Sequence, residues 1–381
     1  MKNALEQLHD YGQSIWFDNI SRPLISGGDL KRMADQGLRG VTSNPTIFEK
    51  AIAGGDAYDG QLRDCLARAP GAPTAELVRE LMVQDIRMAA DVLAPVYARD
   101  EGRDGFVSVE VTPSKARDTR ATIEEVRQLR ALVDRANVMI KIPATREGLP
   151  AIEQAIAEGC NINVTLIFSV ERYREVAHAY VRGLERRAAE GKPLDRIASV
   201  ASIFVSRVDT MVDDLIRKKL SGVKDPAAHA RLTGLIGKAA VANAKMVYQA
   251  FKEIFLGSRA AMLALKGAAV QRPLWASTGT KNPAYSDLLY VETLVGPHTV
   301  NTVPPATYAA ILDHSRPAPT VESDLAGARA VLRDLAAAGI DLAAVTNMLE
   351  VEGVAAFERS FEGLERNLEA KRVRLSSRIP A

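Results

Sequence analysis

The sequence predicts an α/β protein built as a closed (β/α)8 barrel of the TIM type, and three observations support this fold class. Strand-like and helix-like segments alternate along the whole chain, as expected for a parallel sheet. No GxGxxG turn follows the first strand, although an open doubly wound sheet usually has one there. The length of 381 residues suits a barrel with additional helices. The open sheet is the competing fold.

The first half of the chain contains four predicted strands, each a short apolar run bounded by turn residues. They cover residues 14–19, 40–48, 106–111 and 137–144, where GVTSNPTIF (40–48) is interpreted as a strand with its turn. The predicted helices between and after them cover residues 26–37, 74–99, 122–134 and 147–159. Gly37 and Gly159 end the first and last of these helices, because glycine readily adopts the left-handed conformation after a helix.

The second half repeats the pattern with strands at residues 162–168, 197–207, 273–278 and 298–305. A helix is predicted over 169–191, and Ser169 suits its N-cap. Residues 208–268 form a long helical insertion, and apolar positions at helical spacing predict a helical tail over about 320–373. We therefore expect one barrel domain over residues 1–381 that carries this insertion and tail.

The composition is that of a soluble globular protein and excludes several function classes. A formal net charge of +2, with no dense basic run, argues against nucleic acid as a partner. No apolar run is long enough to span a membrane, and residues 1–14 lack the apolar core of a signal peptide, which predicts a cytoplasmic location. Cys65 and Cys160 do not have metal-site spacing. The oligomeric state is left open, with a homo-oligomer among the possibilities.

Polar residues follow or interrupt nearly every predicted strand, at the end where barrel enzymes have their active sites. These residues are Asp18, Asn19, Thr42, Ser43, Asn44, Glu110, Lys141, Asn163, Thr165, Ser202, Arg207, Ser277 and Asn301. Any one of them alone is more often a satisfied structural group than a functional one. Burying so many polar groups without a use would be costly, so together they predict one polar pocket.

Lys141 lies in the middle of an otherwise apolar strand, NVMIKIPAT (137–145). The neutral amine of a lysine attacks a carbonyl to form a Schiff base, which then acts as an electron sink for breaking a C–C bond. This chemistry needs no metal and no cofactor, but it needs a carboxylate to move protons. Asp18 and Glu110 are the available carboxylates. The alternative is that Asp18 and Lys141 form only a buried salt bridge.

Five of these segments resemble the transaldolase family, and they occur in the family's order between Trp16 and His298. The segments are VTSNPTIF (41–48), VMIKIPAT (138–145), NINVTLIFS (161–169), ASIFVSRVD (201–209) and LWASTGTKNP (274–283). The length and the helical tail resemble the longer bacterial form of the family. The resemblance implies a class I aldolase-like barrel that transfers a dihydroxyacetone unit in the non-oxidative pentose phosphate pathway. The donor and acceptor would be sedoheptulose 7-phosphate and glyceraldehyde 3-phosphate.

The resemblance also implies a role for each matching residue. Lys141 would form the Schiff base, and Asp18 would take the proton from the C4 hydroxyl of the ketose. Glu110 and Thr165 would hold the water molecule that relays protons. The substrate-binding residues implied in the same way are Asn44 and Asn163, for the dihydroxyacetone hydroxyls, together with Ser202, Phe204, Arg207 and Ser277.

The expected phosphate end departs from the family pattern, because the Ser-x-Arg motif is replaced by STGTKNP (277–283). Lys281 would supply the second positive charge there, or backbone N–H groups near Gly279 would bind the phosphate. A solvated loop lysine is the alternative for Lys281. Thr112 follows the third strand where an acidic residue is more usual in the family.

Three other functions remain open from the sequence. A fructose 6-phosphate aldolase would release free dihydroxyacetone, but that smaller relative resembles only the bare barrel. A non-catalytic sugar-phosphate-binding barrel should have lost Lys141, Asp18 or Glu110, and all three are present. A phosphosugar isomerase would use Glu110 as a base and would form no covalent adduct with its substrate.

Overall fold

The computed structural model describes residues 2–376, and a closed barrel of eight parallel strands forms its centre. The strands are β1 (Gln13–Phe17), β2 (Gly40–Thr42), β3 (Phe106–Glu110), β4 (Val138–Pro143), β5 (Ile162–Ile167), β6 (Ser199–Phe204), β7 (Gln271–Ala276) and β8 (Thr299–Val303). Each strand pairs with the next one in the sequence, and β8 pairs with β1 to close the barrel. The predicted (β/α)8 barrel is confirmed, and the competing open sheet is wrong.

Helices surround the barrel and cover its ends. Those before β5 are α1 (Ala4–Asp10), α2 (Arg22–Ser26), α3 (Asp29–Asp35), α4 (Pro45–Ala53), α5 (Asp59–Arg68), α6 (Thr74–Arg99), α7 (Thr119–Val133) and α8 (Gly148–Ala157). Those after β5 are α9 (Val170–Ala189), α10 (Ser206–Leu220), α11 (Pro226–Thr233), α12 (Ala239–Phe255), α13 (Ser258–Ala264), α14 (Leu289–Glu292), α15 (Pro305–His314), α16 (Leu325–Ala337) and α17 (Leu342–Ser376). A short 3-10 helix, Pro113–Lys115, follows β3.

Several predicted helices agree with the structure. The helix predicted over 74–99 is α6, and α9 begins after Ser169, whose Oγ accepts the N–H of Arg172 at 3.1 Å. The predicted insertion consists of α10 to α13 between β6 and β7, and the predicted tail consists of α16 and α17. The assignment of residues 1–381 to one domain stays a prediction.

Three predicted strands, at residues 40–48, 197–207 and 298–305, were too long because the helices that follow them begin earlier than expected. In residues 40–48 the strand ends at Thr42 and α4 begins at Pro45. The reason is local: Asn44 Oδ1 accepts the N–H of Ile47 at 3.0 Å, and proline suits the first position of a helix. In residues 197–207 the strand ends at Phe204, so Arg207 lies in the first turn of α10.

Tightly packed side chains fill the barrel interior beneath the carboxyl-terminal ends of the strands. The indole ring of Trp16 is fully buried and lies against the backbone of Gly40 on the neighbouring strand. The Trp16 and Phe106 ring centroids are 6.3 Å apart. Any side chain at position 40 would collide with the indole, so a glycine is needed there to seat this tryptophan.

A polar network lies at the amino-terminal end of the barrel. Asp104 accepts hydrogen bonds from Ser14 and from Trp16 Nε1, the latter at 2.8 Å. Arg272 lies 3.3 Å from the Asp104 carboxylate and donates to Ser14 Oγ at 2.6 Å. Each member of this network has a partner, so these polar groups are satisfied. The opposite end contains the polar strand ends.

The last helix, α17, packs across the carboxyl-terminal end of the barrel. With 35 residues it is about 52 Å long at 1.5 Å per residue. It contacts α10 near its start and α4, α5 and α6 further along. The chain's final helix therefore lies over the same end of the barrel as the predicted site residues.

Within residues 2–376, no helix combines the length and the apolar character needed to cross a membrane.

Replacing Gly40 by alanine should destabilise the barrel. A Cβ at this position would lie 2.5 Å from Trp16 Cδ2, which is too close for either group without movement. We expect a loss of about 1–3 kcal/mol in the free energy of unfolding, as for other overpacked cores, measured by urea denaturation. Gly60→Ala is the control, because a Cβ there meets no atom within 4 Å. A Gly40→Ala variant as stable as the control would contradict this account of the packing.

Candidate active site

A cavity of about 280 Å³ opens at the carboxyl-terminal end of the strands. Nine of the predicted site residues line it: Asp18, Asn44, Lys141, Thr165, Ser202, Phe204, Arg207, Ser277 and Lys281. The other two, Glu110 and Asn163, are buried next to Lys141 on the flanking strands. The barrel thus brings together side chains that lie far apart in the sequence. Their individual roles stay predictions.

Lys141 points to the barrel axis because side chains alternate along β4. Ile140 and Ile142 are buried on the opposite side of the strand, toward the helices. The Lys141 Nζ atom lies 3.3 Å from Glu110 Oε2 and donates to the backbone oxygen of Ser43 at 2.9 Å. Its side chain is 6% exposed. The lysine that interrupts an apolar strand therefore faces the cavity from a buried position.

The ion pair within this cluster joins Lys141 to Glu110. Asp18 has a different contact, because its Oδ1 accepts a hydrogen bond from Thr42 Oγ1 at 2.8 Å. Within residues 2–376, the ion pairs do not include one between Asp18 and Lys141. The alternative in which Asp18 only neutralises Lys141 through a direct salt bridge is therefore wrong.

Burial raises the pKa of both carboxyl groups near Lys141. For Asp18, the positive charge of Lys141 and the hydrogen bond from Thr42 oppose this rise. For Glu110, Lys141 opposes the rise and the charge of Asp18 adds to it. A carboxyl group with a raised pKa exchanges its proton closer to neutral pH, as proton transfer in catalysis requires.

Glu110 and Thr165 place oxygen atoms in the interior that keep hydrogen-bonding capacity. Among the described residues, Glu110 Oε1 and Thr165 Oγ1 form no hydrogen bond, and Glu110 Oε2 has only the ion-pair contact with Lys141 at 3.3 Å. Most buried polar atoms in proteins have a hydrogen-bond partner. These atoms are therefore able to bind a hydroxyl group or a water molecule beside Lys141.

The two asparagines of the predicted site are partly committed to the protein itself. Asn44 uses its side-chain oxygen to cap α4, which leaves its amide N–H groups free for a ligand. Asn163 is fully buried, accepts from Ser202 Oγ at 2.7 Å and donates to Ser108 Oγ at 3.0 Å. Asn163 thus positions Ser202, which itself lines the cavity.

Cationic side chains form the opposite part of the cavity wall. Arg207 on α10 has its guanidinium carbon 5.2 Å from the centre of the Phe204 ring. Lys281 follows β7, and its positive charge acts on Asp18 across the cavity. Neither Arg207 nor Lys281 forms a hydrogen bond or an ion pair with another residue between 2 and 376. Both charges are therefore available to an anionic group of a ligand.

The loop after β7 is held by α10, the helix that also carries Arg207. Tyr290 donates to Asp209 Oδ2 at 2.7 Å, and Tyr285 donates to Asp213. Ser277, at the start of the loop, has a positive φ of 55° and its Oγ lies 3.0 Å from Ser206 Oγ. Strained backbone of this kind is common at functional sites. These contacts attach the loop that carries Lys281 to the helix that carries Arg207.

The positions of three residues differ from what the sequence predicted. Asn301 points away from the cavity and donates to the backbone oxygen of Tyr290 at 3.1 Å, so it is not part of the site. Lys50 and Phe357 line the cavity although the sequence did not indicate them. Lys50 was detectable in principle, because it lies on the helix that Asn44 caps. Phe357 lies in the tail and carried no signal.

Ionisable side chains gathered at the carboxyl end of the strands are typical of (β/α)8-barrel enzymes, and here Lys141 lies beside the carboxyl groups of Glu110 and Asp18. The family model described as Transaldolase/Fructose-6-phosphate aldolase matches residues 15–368. The chain therefore belongs to the transaldolase/fructose-6-phosphate aldolase family.

Curated relatives match nearly the whole chain. It is 50% identical over 373 residues to Transaldolase 2 of Nostoc punctiforme, covering 97% of each protein. It is 51% identical over 366 residues to the transaldolase of Thermobifida fusca, covering 96% of this chain and 97% of that protein. It is 48% identical over 378 residues to Transaldolase 2 of Streptomyces coelicolor, covering 99% of each.

Replacing Asp209 by asparagine should change how stability depends on pH. Burial raises the pKa of Asp209 to about 6 in the folded protein, above its ordinary value. Between the two values the folded state binds more protons than the unfolded state, so the free energy of unfolding falls as pH rises. Asparagine does not titrate, so the variant should gain up to about 3 kcal/mol relative to wild type between pH 4 and pH 7.

Urea denaturation at several pH values measures this difference. Asp214→Asn is the matched control, because Asp214 is an exposed carboxylate on the same helix and such substitutions change stability little. A difference between Asp209→Asn and wild type that stays constant with pH would contradict the prediction.

Proposed function

We propose that this protein is a transaldolase that moves a dihydroxyacetone unit from sedoheptulose 7-phosphate to glyceraldehyde 3-phosphate. The products are erythrose 4-phosphate and fructose 6-phosphate. The observation that carries the proposal is the buried Lys141 amine beside Glu110, in a cavity that is also lined by Asp18 and by the cationic side chains of Lys50, Arg207 and Lys281. Family membership over nearly the whole chain supports the same reaction.

The first part of the mechanism forms a covalent intermediate on Lys141. The Lys141 amine attacks the ketose carbonyl, and loss of water leaves an imine. A proton donor and acceptor is needed at this stage, and a water molecule held by Glu110 and Thr165 would fill that role. The unpaired Oε1 of Glu110 and Oγ1 of Thr165 support this assignment.

The second part breaks and remakes a C–C bond. Asp18 takes the proton from the C4 hydroxyl, the C3–C4 bond breaks, and the electron pair moves toward the iminium nitrogen to give an enamine. The shortened aldose leaves and another aldose phosphate enters. The enamine carbon then attacks its aldehyde, and Asp18 returns the proton to the new hydroxyl. Hydrolysis of the imine by one water molecule releases the product ketose and restores the Lys141 amine.

Charge and hydrogen bonding in the cavity suit a phosphorylated sugar. Arg207 and Lys281 would bind the phosphate, and Ser277, in the same loop as Lys281, lines the cavity with them. Asn44 would donate to hydroxyls of the dihydroxyacetone unit, and Ser202 would bind them with Asn163 behind it. Lys281 is exposed but lines the same cavity as Lys141, which favours phosphate binding over the alternative of a merely solvated lysine.

The proposal keeps the protein in the cytoplasm, in the non-oxidative pentose phosphate pathway, with sugar phosphates as its ligands. It includes no metal, cofactor or nucleic acid, and a homo-oligomer remains compatible with it. Fructose 6-phosphate aldolase is the second candidate because the family includes both activities. The two differ only in whether the enamine is retained until an aldose arrives.

Incubation with fructose 6-phosphate followed by borohydride should attach a reduced three-carbon unit to Lys141. Mass spectrometry of the digested protein locates the modified residue. Lys141→Ala should lose both the adduct and the transfer activity, while circular dichroism shows an intact fold. Absence of the adduct in folded wild-type protein would favour an isomerase or a non-catalytic binding protein. Near wild-type transfer by Lys141→Ala would disprove the Schiff base.

Arg207→Ala should mainly raise KM for phosphorylated sugars. The guanidinium would bind the phosphate equally in the ground state and the transition state, so its loss leaves kcat nearly unchanged. Steady-state kinetics with the donor and acceptor varied separately measure this effect. Arg217→Ala, an exposed arginine on the same helix, is the control. A fall in kcat at constant KM would show that Arg207 does not act as a simple phosphate anchor.

A further inference from the structure

One face of α17 runs along the carboxyl-terminal end of the barrel and is held at several points. Gly353, Phe357 and Ser360 follow each other at helical spacing and therefore share a face. Gly353 lies against the Leu166 side chain of β5, where an added Cβ would approach within 2.9 Å. Ser360 Oγ lies 2.7 Å from Thr46 Oγ1 on α4.

Two ion pairs hold α17 before and after this face in the sequence. Before it, Glu350 lies 3.2 Å from Arg172 of α9. After it, Lys371 lies 3.1 Å from Asp59 of α5. The segment that carries Phe357 is therefore anchored at both of its ends to helices that surround the barrel.

Phe357 is the residue of α17 that reaches the candidate active site. It lines the same cavity as Lys141 and Thr165 and is 4% exposed. Gly353, one helical turn away, touches Leu166, the direct neighbour of Thr165. Phe357 is therefore near the part of the cavity that contains Thr165.

The interior of the cavity is buried, whereas its rim is exposed and positively charged. Lys141 and Thr165 are buried, whereas Lys50 and Lys281 are exposed at the rim. An anionic sugar can thus approach the cationic rim while the imine-forming atoms stay covered. Closing a site with an apolar group limits the access of water and suppresses hydrolysis of reactive intermediates.

We propose that Phe357 is the apolar cover of the reaction centre, and that it directs the Lys141 enamine toward transfer and away from hydrolysis. This inference rests on the proposed function. In the competing hydrolysis, a proton adds to the enamine carbon and water adds to the resulting iminium carbon. The C–N bond then breaks, which releases dihydroxyacetone and restores the neutral lysine. The step consumes one water molecule and needs no other reactant.

The test measures how the three-carbon unit is partitioned. Fructose 6-phosphate is supplied with and without erythrose 4-phosphate, and free dihydroxyacetone is compared with the transferred product. Phe357→Ala should raise the ratio of released to transferred units about tenfold, the effect of lowering the barrier to hydrolysis by about 1.4 kcal/mol. Phe357→Leu should raise it less, because leucine keeps an apolar side chain over the site.

Leu364→Ala is the matched control, since Leu364 lies two turns further along α17, is fully buried and does not line the cavity. It should lower stability without changing the ratio. An unchanged ratio in folded Phe357→Ala, or an equal rise in Leu364→Ala, would overturn the cover role. If Phe357→Ala does not fold, an unchanged ratio in Phe357→Leu has the same meaning.

Borohydride trapping separates this inference from the proposed function. A three-carbon adduct on Lys141 in all variants, with an unchanged ratio, would remove only the role of Phe357. Absence of the adduct in the wild-type protein would remove the proposed function and the cover role together.

Discussion

The pair formed by Lys141 and Glu110 is the interaction on which the rest of this site depends. Two ionisable groups this deep in a barrel are costly to bury unless they are close together and partnered. Their placement opposite each other on β3 and β4, with the Ser43 carbonyl as a further acceptor, meets that condition for the lysine. Glu110 keeps its Oε1 atom without a hydrogen-bond partner among the described residues, so the pair can still bind a hydroxyl group or a water molecule.

The elements added to the barrel are organised around this pair. Helix α10 carries Arg207 and, through Asp209 and Asp213, holds the loop that contains Lys281. Helix α17 contributes Phe357 to the same cavity. A charged rim and an apolar cover thus come from segments outside the eight strands. The barrel strands carry the residues of the reaction centre, and the helices carry the charged and apolar residues that surround it.

Much of the site could be predicted because parallel strands converge. Once Lys141, Asp18 and Thr165 were assigned to strand ends, the closed barrel required them to meet. The exceptions have physical reasons. Asn301 is one residue out of phase and points to the helices, because side chains alternate along a strand. Asp209 and Phe357 lie on helices whose docking depends on contacts that no local pattern contains.

The sequence by itself determined the order of strands and helices, the barrel class and the residue types of the reaction centre. These follow from local periodicity and from the polar residues that interrupt apolar runs. Only the tertiary structure decided that Lys141 pairs with Glu110 rather than Asp18, and that Asn163 lies behind Ser202. It also decided that Phe357 reaches the cavity. Such choices depend on distances between segments far apart in the chain, which only packing of the whole barrel can set.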